Sequence, residues 1–93
     1  GYTATLARRM IAAGLRARLV CVDTEQLDGA FGGRDFDETL LRELPASCDP
    51  CGENGEFHTL VHAGPMFPAP IAVSKGETVL CDDRFAYTDF FRR

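Results

Sequence analysis

The run Leu19-Val20-Cys21-Val22 decides the fold, because four apolar residues follow one another without a polar residue between them. An unbroken apolar run of this length is typical of a strand that is buried on both faces. We therefore predict a buried strand over residues 17–24. Asp23 lies at its carboxyl end, where ligands gather in α/β sheets, and is a candidate site residue, although a plain surface turn fits equally well.

A helix is predicted on the amino-terminal side of this strand, over residues 2–13. Gly14 is suited to end the helix, because glycine adopts a left-handed backbone conformation at little cost. A helix, a glycine and a buried strand in this order are typical of one half of an α/β unit, whose strands are parallel. The residues with helical spacing form one apolar stripe: Tyr2, Leu6, Met10 and Ala13.

A second helix is predicted over residues 35–44. Asp35 and Glu38 have the spacing of a capping box, and Pro45 ends the helix.

The carboxyl-terminal half has the patterns of strands. Residues 57–63 and 85–91 are predicted strands, and a two-residue turn at Lys75-Gly76 is predicted to join two more, 71–74 and 77–82. The predicted fold class is α/β, with α+β character in isolation: two helices and a small mixed sheet.

The composition is that of one ordinary globular domain, with 93 residues, 45 % of them hydrophobic and 26 % charged. No apolar run approaches the roughly 20 residues that span a bilayer, so we expect no membrane association. The net charge of −4 argues against a nucleic-acid partner, because such a partner requires a basic surface. No secretory signal is visible, and we expect a cytoplasmic protein with reduced thiols.

The cysteines and histidines invite a metal hypothesis, since Cys48 and Cys51 form a C-x-x-C pair that His58 and His62 follow. Only six residues separate the two pairs, fewer than in zinc fingers. On a strand, the two histidines would lie about 13 Å apart, too far to share one ion. We therefore predict no metal site, although spacing alone leaves open whether these four residues bind a metal.

The densest polar cluster is the loop Gly52-Glu53-Asn54-Gly55-Glu56, which lies in the acidic middle third of the chain. Two carboxylates three residues apart can accept hydrogen bonds from a substrate or bind a hard cation. The glycines allow a ligand to approach the backbone closely. His58 and Thr59 follow the loop directly. The alternative is an elaborate structural loop without a ligand.

These residues carry a family resemblance. The string from Asp49 to Val61, followed by Gly64-Pro65-Met66-Phe67, resembles the signature of the diphthine–ammonia ligase-like PP-loop ATPases, relatives of the N-type ATP pyrophosphatases. The segments Val20-Cys21-Val22-Asp23 and Phe31-Gly32-Gly33-Arg34 fit the same family at matching distances. The resemblance covers about residues 2–80. Asn54 and His58 resemble the bacterial G-E-N-G-E-[FY]-H-T branch, which makes diphthine a doubtful substrate.

The resemblance implies a two-part enzyme of which this chain, residues 1–93, matches only the C-terminal acceptor-substrate domain. The N-terminal PP-loop domain, which would bind ATP and Mg²⁺, is absent from this sequence, so we expect the chain to be a fragment, inactive alone and without a cofactor of its own. The implied reaction adenylates a carboxylate and transfers ammonia or another amine to it. The implied substrate-binding residues are Gly52, Glu53, Asn54, Gly55, Glu56, His58 and Thr59, with Asp23, Arg34 and Cys51 as secondary candidates.

The implied roles differ between these residues. Glu53 and Glu56 would orient the acceptor or the amine, and Gly52 and Gly55 would permit backbone contact with the adenylate. Asn54, His58 and Thr59 would tune the choice of acceptor.

The expected partners are the missing ATP-binding half, a small carboxylate substrate and a second copy of the chain. The homo-oligomer is expected because Tyr2, Leu6 and Met10 would form an exposed apolar face. Two alternatives remain open: a stand-alone module that binds a small molecule or partner without ATP chemistry, and a structural subunit that closes a separate ATP-binding chain.

Overall fold

The computed structural model describes residues 2–64 and 69–92, apart from the side chain of Tyr2. The motif residues 65–67 therefore lie outside the described residues. Two helices and a four-stranded sheet form an α+β fold, which confirms the predicted fold class. The elements are α1 (Tyr2–Ala12), β1 (Arg16–Asp23), α2 (Glu38–Glu43), β2 (Phe57–Ala63), β3 (Val73–Cys81) and β4 (Phe85–Arg92). Neither α-helix in this part of the chain is long and apolar enough to cross a bilayer.

The sheet has the strand order β2-β1-β4-β3, and every pair of neighbouring strands is antiparallel. The buried run is the central part of β1, as predicted, but its neighbours are antiparallel rather than the parallel strands of an α/β unit. Cys21 lies opposite His58 on one side and Tyr87 on the other. A register shift between Leu19 and Cys21 explains why both Leu19 and Val22 belong to the core.

The hydrophobic core lies between one face of the sheet and the two helices. Ala7 of α1 and Leu40 of α2 are fully buried against Leu19 of β1. Phe36 and Phe57 pack with their ring centroids 6.3 Å apart. The predicted apolar stripe of α1 faces the core only in part, because Met10 packs against the core but remains partly exposed.

The second helix begins at Glu38, and its cap lies two residues after the predicted cap. Asp37 is the cap, because its Oδ1 accepts the Leu40 N–H at 2.8 Å. The predicted cap, Asp35, instead forms an ion pair with Arg18, with 2.9 Å between Nε and Oδ1. The capping-box spacing therefore identified the helix but not its first residue.

Strand β3 is one continuous strand, so the predicted hairpin at Lys75-Gly76 is wrong. A register shift between Lys75 and Thr78 marks a bulge at this position. Gly76 fits a bulge because an added Cβ would lie 2.6 Å from the Phe91 ring. The glycine that indicates a turn in the sequence therefore allows a close approach between strands.

Strand β1 changes its partner halfway along its length. On the side away from β2 it pairs with β4 from Cys21 onward, but its first half pairs with residues 33–36. The Leu19 N–H donates to the Arg34 carbonyl at 2.9 Å, and the Phe36 N–H donates to the Ala17 carbonyl at 2.9 Å. Only three residue pairs join β1 to β4 in the described part of the sheet.

The turn between β3 and β4 has an unusual backbone. Asp82 and Asp83 have φ angles of 55° and 52°, and the Arg84 N–H donates to the Cys81 carbonyl at 3.1 Å. Two successive positive φ angles are typical of a type I′ turn, which matches the twist of the strands and favours asparagine or aspartate followed by glycine, so Asp83 lies where glycine is preferred. The strained turn fixes Arg84 at the edge of the sheet.

Candidate functional site

Residues 49–56 form the loop that leads into β2 and carries most of the predicted site. Glu56 holds this loop from inside, since it is only 1 % exposed. Its Oε1 accepts the Asn54 N–H at 2.9 Å, and its Oε2 accepts the Asp49 N–H at 2.5 Å. The Glu56 carbonyl accepts the Asp23 N–H at 2.9 Å, which joins the loop to the end of β1. Both carboxylate oxygens are thus engaged within the loop.

Asp49 supports the same loop from its other end. Its Oδ2 accepts the N–H groups of Cys51 at 2.9 Å and Glu53 at 3.2 Å. Burial alone would raise the pKa of Asp49, but these N–H groups and the Thr3 hydroxyl outweigh burial and lower it. An ionised Asp49 therefore fixes the backbone of the loop, while the side chains of Glu53 and Asn54 remain exposed at its tip.

The two glycines of the loop serve different purposes, although both have positive φ angles, 65° at Gly52 and 74° at Gly55. A Cβ added at Gly52 would lie 2.8 Å from the Phe57 carbonyl oxygen and 3.2 Å from the Phe57 ring. A Cβ added at Gly55 would meet nothing within 4 Å. Gly52 is therefore required for packing, whereas the backbone at Gly55 is open to an approaching ligand.

At the end of β1, the side chains of Arg84 and Gln26 bind the Asp23 carboxylate and form a clamp around it. Arg84 binds it bidentately, through Nε to Oδ1 at 2.9 Å and Nη2 to Oδ2 at 2.8 Å. Gln26 donates to Oδ2 at 2.8 Å, and the Glu25 N–H donates to Oδ1 at 3.1 Å. The hydrogen bonds from Arg84 and then Gln26 hold the pKa of the buried Asp23 far below its ordinary value. Its oxygens are therefore engaged in structure rather than turned to solvent.

Three segments meet at the end of the sheet where β1 ends, which we call the acidic edge. Gln26 Nε2 joins two of them, since it lies 3.3 Å from the Asn54 carbonyl oxygen. The segments are residues 23–26, the loop 49–56 and the turn 82–84. Arg84 is their one cation, and it is already paired with Asp23 and with Glu25 at 2.9 Å. The edge is strongly acidic, so its field favours a cation such as an ammonium ion and disfavours an anion.

A small apolar pocket of about 140 Å³ lies next to the loop, between α1 and β2. Cys51 and Thr59 belong to its wall, as does Phe57, whose ring packs under Gly52. The remaining wall is made of Met10, Leu15, Ala17, Phe36 and Val61. A pocket of this size accepts a group about as large as benzene. A larger open cleft of about 400 Å³, near Arg16 and Asp35, contains none of the predicted site residues.

The structure does not bring all the predicted residues together. His58 lies opposite Cys21, on the sheet face away from Phe57 and the pocket. Arg34 pairs with Glu43 at 2.7 Å and lies over the Phe31 ring, in the segment beside the first half of β1. The loop tip and Thr59 thus remain as candidates for one shared site.

Neither cysteine of the C-x-x-C pair has the environment of a nucleophile. Burial raises the pKa of Cys48 to about 11 and also raises the pKa of Cys51. The Cys51 thiol donates to the Thr3 carbonyl at 3.4 Å. Within residues 2–64 and 69–92, no three His, Cys, Asp or Glu side chains are placed to hold a metal ion.

Three residues that organise the site were not found by sequence reasoning: Gln26, Asp49 and Arg84. Asp49 carries a local signal, because an aspartate ahead of glycines often accepts hydrogen bonds from the following turn. Arg84 carries none, since its partner Asp23 lies 61 residues earlier in the chain.

The fold and the loop define a small α+β domain with a preorganised polar loop at an acidic sheet edge. Residues 2–89 match the family model described as Diphthamide synthase C-terminal domain. The chain belongs to this family, which is ligase-like. The comparison with curated proteins gives no match.

Proposed function

We propose that this domain binds the acceptor substrate of an ATP-dependent ligase that adenylates a carboxylate and transfers ammonia or another amine to it, forming an amide. Membership of the diphthamide synthase C-terminal domain family supports a ligase-like role. The observation that carries the proposal is the exposed tip of a loop that Glu56 and Asp49 hold in place at an acidic edge. Such an edge attracts the protonated amine, which has to release a proton to solvent before its nitrogen can attack.

The geometry divides the roles among the loop residues. Glu53 and Asn54 extend from the tip, and the open backbone at Gly55 allows close contact with a ligand. Glu56 acts as a positioning residue, because both its oxygens are engaged by backbone N–H groups. The apolar pocket at Thr59, rather than the acidic edge, would receive the carboxylate substrate through its apolar part, and His58 would lie outside the site.

The family resemblance implies ATP and Mg²⁺, and the triphosphate of ATP does not fit the acidic edge of this chain. The acidic edge would repel a triphosphate, and the one arginine there is already paired with Asp23 and Glu25. We therefore assign ATP and Mg²⁺ to a separate PP-loop half. The bacterial branch and a cytoplasmic location are further predictions from the sequence.

The amine site is tested by titrating the ¹⁵N-labelled chain with ammonium chloride and following its amide resonances, with sodium chloride as the salt control. We expect ammonium to shift the amides of Glu53, Asn54 and Gly55, and Glu53→Gln to weaken this response. The matched control is Glu77→Gln, which changes an exposed glutamate on β3. Identical responses to the two salts would overturn the amine role of the loop.

The ligase reaction is tested by adding a separate PP-loop ATP-binding half and measuring AMP formation that depends on ammonia and a small carboxylate. We expect Glu53→Gln to lower this activity and Glu77→Gln to leave it unchanged. The second candidate function is a stand-alone module that binds a small molecule without ATP chemistry. The domain's own hydrophobic core and preorganised loop favour this candidate. It would bind its small molecule tightly without the PP-loop half, and AMP formation would then be absent.

A further inference from the structure

The apolar pocket beside the loop 49–56 is closed at its base and open at its rim. Ala17, Phe36 and Phe57 belong to its wall and are buried, so they form the base. Thr59 is exposed and Met10 is half-buried, so these two residues lie at the opening. A ligand therefore enters the pocket with one part and keeps the rest at the surface of the domain.

The wall of the pocket favours carbon over charge. No charged side chain lines the pocket in the described part of the chain. The Cys51 thiol in the wall already donates to the Thr3 carbonyl at 3.4 Å, and the Thr59 hydroxyl lies at the opening. Because an unpaired charge is costly to bury, the part of a ligand that lies inside the pocket has to be apolar.

The two ends of the pocket differ in their distance from the loop. Phe57 directly follows the loop, whereas Val61 lies about 13 Å further along the extended strand β2. The carboxylates of the loop act at the first end, since burial and then the charges of Asp49 and Glu53 raise the pKa of Cys51. Val61 therefore lies at the end of the pocket that is farther from the loop.

We propose that the carboxylate substrate carries one compact apolar group the size of a six-membered carbon ring, and that Val61 limits the length of this group. This inference rests on the proposed function, in which the loop holds the amine. Attack by the amine requires the acyl carbon to face the loop, so the apolar group extends towards Val61. A volume of about 140 Å³ holds a single ring but not a ring with a further chain.

Titrating the ¹⁵N-labelled chain with acetamide, benzamide and para-ethylbenzamide tests the size limit. These primary amides are the products that ammonia would form from acids of increasing size, and the acidic edge does not repel them because they are uncharged. We expect benzamide to shift the amide resonances of Cys51, Thr59 and Val61, with a Kd of about 1–10 mM. Acetamide, which lacks the ring, and para-ethylbenzamide, which is too long, are expected to bind at least about 10-fold more weakly.

Shortening Val61 tests its role through a gain of binding, which a misfolded variant could not produce. Val61→Ala removes two methyl groups from the far end of the pocket and makes room for the ethyl group. We therefore expect this variant to bind para-ethylbenzamide about 10-fold more tightly than the wild type does. The matched control is Leu60→Ala, at the neighbouring position on the opposite face of β2, which is expected to leave the affinities for both ring amides unchanged.

The outcomes separate this inference from the proposed function. Equal binding of para-ethylbenzamide by the wild type and Val61→Ala, or benzamide shifts that omit Thr59 and Val61, would overturn the inference. A response of the loop to ammonium without any response of the pocket to benzamide would also overturn it, while the amine role of the loop would stand. The expected binding of the ring amides without a response to ammonium would support the size limit and overturn the amine role.

Discussion

Replacing Glu56 with glutamine tests whether this buried carboxylate holds the loop or serves the substrate. Glu56 accepts two backbone N–H groups, and a hydrogen bond to a charged group contributes about 1.5–3 kcal/mol. The glutamine oxygen can accept one of these groups, but the glutamine NH₂ faces the other donor. We expect Glu56→Gln to lower the free energy of unfolding by about 2–4 kcal/mol, since one bond is lost and one buried donor is left unpaired.

This loss is a large part of the stability of a small domain, which is about 5–15 kcal/mol in total. Urea denaturation followed by circular dichroism measures it, and a thermal scan should show a decrease in Tm of about 10–25 °C. The control is Glu53→Gln, the same chemical change at the exposed tip of the loop, with an expected effect below about 0.5 kcal/mol. If the two variants were equally stable, Glu56 would not be a structural support, and its predicted contact with substrate would be favoured.

Three further predictions concern the backbone of the loop, the strained turn and the clamp. Gly52→Ala is expected to lower the free energy of unfolding by about 3 kcal/mol, because its Cβ would clash with the Phe57 carbonyl oxygen. Gly55→Ala is expected to lower it by only about 1 kcal/mol, because only the positive φ opposes the new side chain. Chemical denaturation measures both values, and equal losses would contradict the difference between the two glycines. Asp83→Gly is expected to stabilise the chain by about 0.5–1 kcal/mol by relieving a φ of 52°, and a loss of stability would argue against strain. Because the folded state lowers the pKa of Asp23, the ionised carboxylate stabilises the fold fully above its ordinary pKa of about 3.9, and this stabilisation is lost as the pH falls below that value. Asp23→Asn should therefore reduce the loss of stability at acidic pH. An unchanged loss of stability at acidic pH would contradict the clamp.

The positions of most elements could be predicted because their signals are local. The apolar run at Leu19, the glycine after α1 and the alternation in β4 each depend on neighbouring residues only. The strand pairing could not be predicted in the same way, since an unbroken apolar run fits a central antiparallel strand as well as a parallel one. Lys75-Gly76 predicts a turn wrongly because glycine permits both a turn and a bulge, and only the contact with Phe91 distinguishes them.

The site shows the same division between local and distant information. The loop around Gly52 could be found from its own composition, and the structure places it at the end of β1 as a folded unit. The split between Glu53 and Glu56 could not be found, because two glutamates three residues apart look alike until one of them is buried. Arg84 was missed because a salt bridge across 61 residues has no local sequence pattern.

The exchange of partners along β1 has a consequence for how the domain opens. Strands β3 and β4 are joined to each other by seven residue pairs, but to β1 by only three, near the Arg84 clamp. We therefore expect the β3–β4 hairpin to open more readily than the rest of the sheet, although its opening would remove Ala86 from the core. Breaking the clamp would favour this opening and displace Arg84 from the acidic edge, so we expect the opening to be thermodynamically linked to binding of the proposed amine.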